Sequence, residues 1–315
     1  MPPKIARLGH IAFETPDLES STEFFTDVIG FEEVERTDDS VYLRAVDEFY
    51  HHSFVLQAGD EAGVDHVAWQ TWTGEDLEAL ADELESEGYD LTHVEAGEEA
   101  GQGEAYRFST PSGHRFEIYH EMEKPQPPEE KRSKLNNRPY NPNTTVHIAP
   151  QQIDHVQLWN PDGKALADWF QDELNFMEQE HFDLGDGTRW GTFLTASRSK
   201  IDAAIIHGED DDGPRFHHVA YDVESTEKLW DAADSVREAG YEIDTGPGQH
   251  AFSRRRFLYV KDPASGIRIE FSTGGYSVYD PTWDPIDWTE SEIGNAESHQ
   301  WIGQLDMATK LEYTD

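Results

Sequence analysis

Alternating runs of apolar and polar residues along this chain are each followed by apolar residues at helical spacing, and the pairing recurs. LGHIAFETPDLESSTEFFTDVIGFEE, residues 8–33, parallels IDHVQLWNPDGKALADWFQDELNFME, residues 153–178. Each reads as a strand, a polar turn, an amphipathic helix and the start of another strand. Leu18, Phe25 and Val28 line one side of the first helix, and Leu166, Trp169, Phe170 and Leu174 line one side of the second. Both helices are therefore expected to face a core and to carry no chemistry of their own. Each half restarts at VDHVAWQTW (64–72) and FHHVAYDV (216–223), followed by helices predicted over 76–89 and 226–241, each closed near a glycine. The pattern predicts four βαβββ-like units, paired two to a half, in an α+β fold.

Between the halves KPQPPEEKRSKLNNRPYNPN (124–143) is rich in Pro, Asn and charge and has no apolar period, as a linker does. The expected organisation is an N-terminal domain over 1–120, a linker over 121–147, a second domain over 148–275 and a tail over 276–315. The tail carries Tyr276, Tyr279, Trp283, Trp288 and Trp301 without a clear period and is expected to pack on the second domain.

A chain of 315 residues can bury two cores unaided. It has no cysteine, so any metal must be held by His, Asp or Glu. A net charge of -41 repels nucleic acid and anionic membranes, whose binding needs Lys and Arg, and excludes both as partners. We read this acidity as adaptation to high salt, where screening removes the self-repulsion. The N-terminus lacks a signal-peptide layout, and no run approaches the roughly 20 apolar residues of a membrane span, so a soluble cytoplasmic protein is expected.

Each half places one His on its first strand, one on the strand opening its second unit, and a Glu on its last strand. These are His10, His66 and Glu117 in the first half and His155, His218 and Glu270 in the second. The spacing from the second His to the Glu differs by a single residue between the halves. A lone strand histidine is more often a hydrogen-bonded core group than a ligand, but the repeated layout reverses that weighting. Two imidazoles and a carboxylate are the facial ligand set for non-haem Fe(II), sometimes Mn(II), and leave positions open on the ion. His217, beside His218, is expected on the opposite face of its strand, and His51 and His52 are read as structural. Only the second half adds a further His and Tyr, His250 and Tyr259. The first half has Arg107 near the tyrosine position and no histidine in EAGEEAGQG before it.

The ordered set Gly248, His250, Tyr259, Asp262, Pro263 and Glu270 resembles the signature of the extradiol ring-cleaving dioxygenases of the vicinal-oxygen-chelate superfamily, and among them most closely the catechol 2,3-dioxygenases. The similarity extends over 40–56, 111–119 and 213–223, and so over both halves. It implies a glyoxalase/bleomycin-resistance-like fold, with four βαβββ modules in two tandem domains. By that resemblance His155, His218 and Glu270 hold Fe(II), or Mn(II), a catechol and O2 are the small-molecule partners, and the ring opens to a muconic semialdehyde. His250 and Tyr259 would be catalytic, hydrogen-bonding the substrate oxygens. The first half would be a scaffold, with His10, His66 and Glu117 as a possible second metal set. A homo-oligomer, often a tetramer, is also implied.

Two departures stand out. The turn DPASGIRIE is one residue longer than the family spacing, and a small bulge could absorb it. Where the family carries a proton-transferring His immediately before Asp, this chain has Ile201 before Asp202. Loss of such a group typically costs ~10²–10⁴ in rate. His207 is the nearest substitute in sequence, but on a strand six residues at ~3.3 Å leave it about 20 Å away. Two alternatives therefore stay open: a non-oxidative glyoxalase-like lyase or isomerase, and a metal- and catechol-binding homologue impaired in turnover.

Overall fold

The computed structural model of the chain describes residues 4–126, 129, 148–208, 213–250, 253–289, 292 and 311–314. Most of the expected linker, and Trp301, lie outside the described residues. The first half runs β1 (Ile5–Thr15), α1 (Leu18–Glu23, continued by a π-helical turn Phe24–Ile29), β2 (Glu32–Arg36), β3 (Ser40–Arg44) and β4 (Phe54–Ala58). It continues with β5 (Gly63–Thr71), α2 (Gly74–Glu87), β6 (Thr92–Val94), β7 (Ala105–Ser109) and β8 (Arg115–Tyr119). The second half repeats the order as β9 (Gln152–Asn160), α3 (Gly163–Asp172), β10 (Met177–Asp183), β11 (Arg189–Thr195) and β12 (Ala203–His207), then β13 (Arg215–Asp222), α4 (Thr226–Glu238), β14 (Ile243–Gln249), β15 (Arg255–Lys261) and β16 (Arg268–Gly274). These are the four βαβββ modules that the hydrophobic pattern predicts, in a glyoxalase-like α+β fold.

Local chemistry sets the helix ends. Side chains of Asp17, Thr73 and Asp162 accept hydrogen bonds from the amides of Ser20, Asp76 and Ala165 and so satisfy orphan donors at three helix starts. Gly88, at φ 97°, closes α2 in a left-handed conformation that a side chain would resist.

The strands of each half form one sheet, in the order β2-β3-β4-β1-β5-β8-β7-β6 for the first and β14-β15-β16-β13-β9-β12-β11-β10-β17 for the second, where β17 is Ile286–Thr289. The strand alternation gives each sheet two different faces. Ile11, Phe13, Val67, Trp69, Phe116 and Ile118 join Leu77, Leu80 and Leu84 of α2 in the core, and the corresponding face of the second sheet packs into the same apolar cluster. Phe13 lies 5.3 Å from Phe216 and Trp69 lies 5.6 Å from Phe170, ring centre to ring centre, so the two halves share this core. His10, Ala12, His66, Ala68 and Glu117 fall on the other face.

The tail follows the second domain only in part. β17 adds to β10, and Trp283 Nε1 donates to the Gln179 carbonyl at 2.9 Å. The end of the chain, however, bridges both halves, with Leu311 paired to Phe216 and Tyr313 to Val64. The long DPASGIRIE turn also differs from expectation. The β15–β16 register runs unbroken from Arg255 to Lys261, with no bulge. The extra residue is absorbed in the turn, where Asp262 accepts from the amide of Ser265 and Gly266 adopts φ 75°. Among the described residues no helix is long and apolar enough to cross a membrane.

Candidate metal centre

Sheet register brings the second-half residues together. Ala220 of β13 pairs with His155 of β9 on one side and with Glu270 of β16 on the other, and His218 lies two residues before Ala220 on the same face. The functional atoms converge as a result. His155 Nε2 and His218 Nε2 are 3.3 Å apart, and Glu270 Oε2 stands 3.4 Å from the first and 3.0 Å from the second. All three side chains are buried.

Mutual separations of this size suit three neighbouring ligands of an octahedral ion, which stand about 3.0–3.3 Å apart for bonds of about 2.1–2.3 Å. Among the described residues the buried Glu270 Oε1 atom has no hydrogen-bond partner, with His250 Nε2 3.8 Å away, a cost that the carboxylate would not bear for packing alone. The donor set and its spacing fit a divalent cation.

The charge environment supports the same assignment. His155 Nδ1 lies 2.6 Å from Asp154 Oδ2, which keeps the ring proton on Nδ1 and turns the Nε2 lone pair toward the ligand point. Asp154 is itself held by Arg255 at 3.0 Å. Burial disfavours the imidazolium of His155, but hydrogen bonds to Asp154 and Glu270 outweigh it and raise its pKa to about 9, so in the metal-free protein a proton sits on Nε2 against Glu270 and a bound cation would take its place. At His218 burial dominates and lowers it to about 4. Burial also opposes the Glu270 charge, yet His155, His218 and His250 hold that carboxyl well below its usual range.

His250 and Tyr259 are brought to the same place. Tyr259 lies directly across from Glu270 in the β15–β16 ladder, and His250 Nε2 is 3.2 Å from the Tyr259 hydroxyl and 3.8 Å from Glu270 Oε1. Burial, with the Glu270 charge beside it, pushes the Tyr259 phenol well above its usual pKa. Ile201 packs with Phe193 and Ala204. Ala204 pairs with Gln157, two residues beyond His155 on the same face of β9, so this apolar group lies on the face that carries His155. His207 lies at the end of β12.

His217 does not face away. A register shift between Phe216 and His218 sets two residues of β13 against one of β9, which turns both histidines to the same side. Their Nδ1 atoms are 2.7 Å apart, and the His217 ring stacks on Trp159 at 6.1 Å. Periodicity alone cannot show such a bulge.

The first-half residues also converge, with His10 Nε2 and His66 Nε2 3.1 Å apart and Glu117 Oε1 3.7 Å from His10. Glu99, absent from the expected set, joins them at 2.9 Å from His10 Nε2. The available signal was its place in EAGEEAGQG, ahead of Arg107 much as His250 is ahead of Tyr259. His52 is a hydrogen-bonded core histidine, 3.0 Å from Glu99, and His51 contacts His52 and Glu35. Glu180 was also not anticipated. It accepts from the Ser253 amide at 2.7 Å and from Trp288 Nε1 at 2.8 Å, tying the chain just beyond His250 to the tail.

Residues 152–271 match the sequence profile of the Glyoxalase/Bleomycin resistance protein/Dioxygenase superfamily, and residues 64–123 match that of the catechol 2,3-dioxygenase-like N-terminal domain. The chain is similar to the manganese-dependent 2,3-dihydroxybiphenyl 1,2-dioxygenase of Geobacillus genomosp. 3, with 41% identity over 96% of this chain and 95% of that protein. It is similar to the metapyrocatechase of Geobacillus stearothermophilus, with 33% identity over 95% and 90% of the two chains. Among solved structures, a 2,3-dioxygenase from Pseudomonas sp. KL28 superposes with a TM-score of 0.83 at 30% identity, over 92% of this chain and 99% of that one. Homoprotocatechuate 2,3-dioxygenase from Arthrobacter globiformis superposes with a TM-score of 0.83 at 26% identity, over 95% and 88%.

Proposed function

The chain belongs to the extradiol dioxygenases of the glyoxalase/dioxygenase superfamily, which are non-haem Fe(II) or Mn(II) enzymes, and from that premise we propose that it opens catechol or a substituted catechol beside the diol to a 2-hydroxymuconic semialdehyde. His155, His218 and Glu270 are the proposed ligands, and His250 and Tyr259 the proposed substrate-holding and proton-handling groups. The second half is the proposed catalytic domain and the first half its scaffold. One observation carries this reading: three buried ligand atoms stand 3.0–3.4 Å apart with the His250–Tyr259 pair beside them. When bound, the metal supplies open positions that hold the diol oxygens and O2 side by side.

The chain's own groups supply positioning and proton handling. Asp154, backed by Arg255, fixes the tautomer and orientation of His155. Tyr259 remains a neutral phenol beside the Glu270 carboxylate, so its hydroxyl holds a substrate oxygen by hydrogen bonding instead of adding a second negative charge. His250 Nε2, within reach of that hydroxyl, is the base that takes a diol proton and returns it to the product. Ile201, Phe193 and Ala204 give the substrate ring an apolar wall. Both atoms of O2 enter the product, so no outside reductant is needed.

The test is oxygen uptake by anaerobically metal-loaded protein in high salt, with catechol and with 2,3-dihydroxybiphenyl, while the yellow ring-opened product is followed. We expect one O2 per diol with a yellow product, abolished by a chelator. Metal and diol binding without uptake of oxygen would sink the proposal and leave a binding protein, the reading that Ile201 favours.

A further inference from the structure

The first half holds a buried cluster that the proposed reaction does not use. We propose that His10, His66, Glu99 and Glu117 form a second, closed site for a divalent first-row cation, structural in role and separate from the ligand set of the second half.

The backbone places this cluster as it places the other. Ala68 of β5 pairs with His10 of β1 and with Glu117 of β8, and His66 lies two residues before Ala68. That is the relation of Ala220 to His155, Glu270 and His218. The four ligating groups bring one atom each within 4.8 Å of all the others, and all four residues are buried. His10 Nε2 is 2.9 Å from Glu99 Oε1, and His66 Nε2 is 3.7 Å from Glu99 Oε2 and 3.8 Å from Glu117 Oε2. Four ligands of a tetrahedral ion bound at about 2.0–2.2 Å stand about 3.3–3.6 Å apart, within the range that these contacts span. Asp65 Oδ2, 2.6 Å from His66 Nδ1, turns the His66 Nε2 lone pair inward, as Asp154 does for His155.

Two substitutions between the halves make this site closed. Glu99 takes the role that His250 has in the second half, so a carboxylate fills the side on which a diol would enter. Arg107 stands where Tyr259 would be, its Nη2 2.7 Å from Glu99 and its Nε 2.6 Å from Glu117. Gln102 Nε2 donates to Glu117 Oε1 at 2.7 Å. These donors orient the carboxylates from outside while their inner lone pairs face the imidazoles. Arg107 offsets only one of the two buried carboxylate charges, which leaves a net negative charge that favours a bound cation. With four protein ligands, and the Arg107 guanidinium on both carboxylates at the position where Tyr259 stands in the second half, the site stabilises a fold and leaves no room for a diol.

The test counts metal. Full-length protein is loaded anaerobically with Mn(II), freed of excess by gel filtration and analysed for Mn per chain, with Tm recorded with and without metal. We expect two Mn per wild-type chain, and one each in Glu99→Gln and Glu270→Gln, with part of the Mn-induced rise in Tm lost in Glu99→Gln. His10→Asn replaces Glu99→Gln if the latter does not fold. One Mn in the wild type, unchanged by Glu99→Gln and abolished by Glu270→Gln, overturns the proposal. One Mn that survives Glu270→Gln and is lost in Glu99→Gln supports this site and instead removes the ligand set proposed for the second half.

Discussion

Arg107 lies directly across from Glu117 in the first sheet, its Nε 2.6 Å from Glu117 Oε2, at the register position where Tyr259 faces Glu270 in the second. One repeated backbone thus carries a fixed cation beside one carboxylate and a neutral hydroxyl beside the other. In the proposed assignment, that exchange separates a site filled by its own side chains from one able to accept a ligand.

Removing that guanidinium exposes the difference. Arg107→Ala leaves Glu99 and Glu117 buried without their nearest cation, and we expect metal-free protein to lose about 3 kcal/mol in urea unfolding. With Mn(II) present the loss should shrink, because a bound dication neutralises the same carboxylates. An equal loss under both conditions would show that Arg107 alone satisfies the cluster.

Tyr259→Phe removes the hydroxyl that meets His250 while keeping the buried ring. We expect kcat with catechol to fall roughly 10²-fold, within the range for a lost hydrogen-bond donor to a reacting oxygen, and Mn or Fe content to stay at the wild-type level. Unchanged kcat would exclude Tyr259 from the chemistry, and lost metal would make it a structural support of the triad.

Ile201→His returns an imidazole to the wall formed with Phe193 and Ala204. We expect kcat to rise at least tenfold, toward the roughly 10²–10⁴ that general acid–base groups contribute, with little change in metal content. If a crystal structure shows the new imidazole facing the metal and the rate is unchanged, His250 already suffices for proton transfer.

Acid stability should report on His114, which joins the halves by donating from Nε2 to the Trp159 carbonyl at 3.1 Å. Burial lowers its pKa to about 4, against about 6.5 in an unfolded chain. Between those values the unfolded state binds more protons, so the contribution is complete above about pH 6.5 and is lost as pH falls to about 4, roughly 3 kcal/mol in all. His114→Gln should flatten the decline in stability over that window at constant salt. His52, lowered to about 4 chiefly by burial, should keep part of the slope. A decline as steep as the wild type's would place the sensitivity elsewhere.

The sequence by itself determined the repeat, the four modules and the family, because strand alternation, helix period and the placement of His155, His218 and Glu270 are local or evenly spaced along the chain. It also showed Ile201, since a missing imidazole is legible without coordinates. Only the tertiary structure decided which way His217 points, because a bulge changes side-chain direction without changing composition. It decided that the long turn before Glu270 closes without disturbing the ladder, and that the chain end bridges β5 and β13 across both halves. It alone brought Glu99 from a polar, glycine-bearing stretch to within 2.9 Å of His10. Such a stretch has no periodicity to fix where its side chains go; strand pairing on either side of it, and the charges it meets there, settle that.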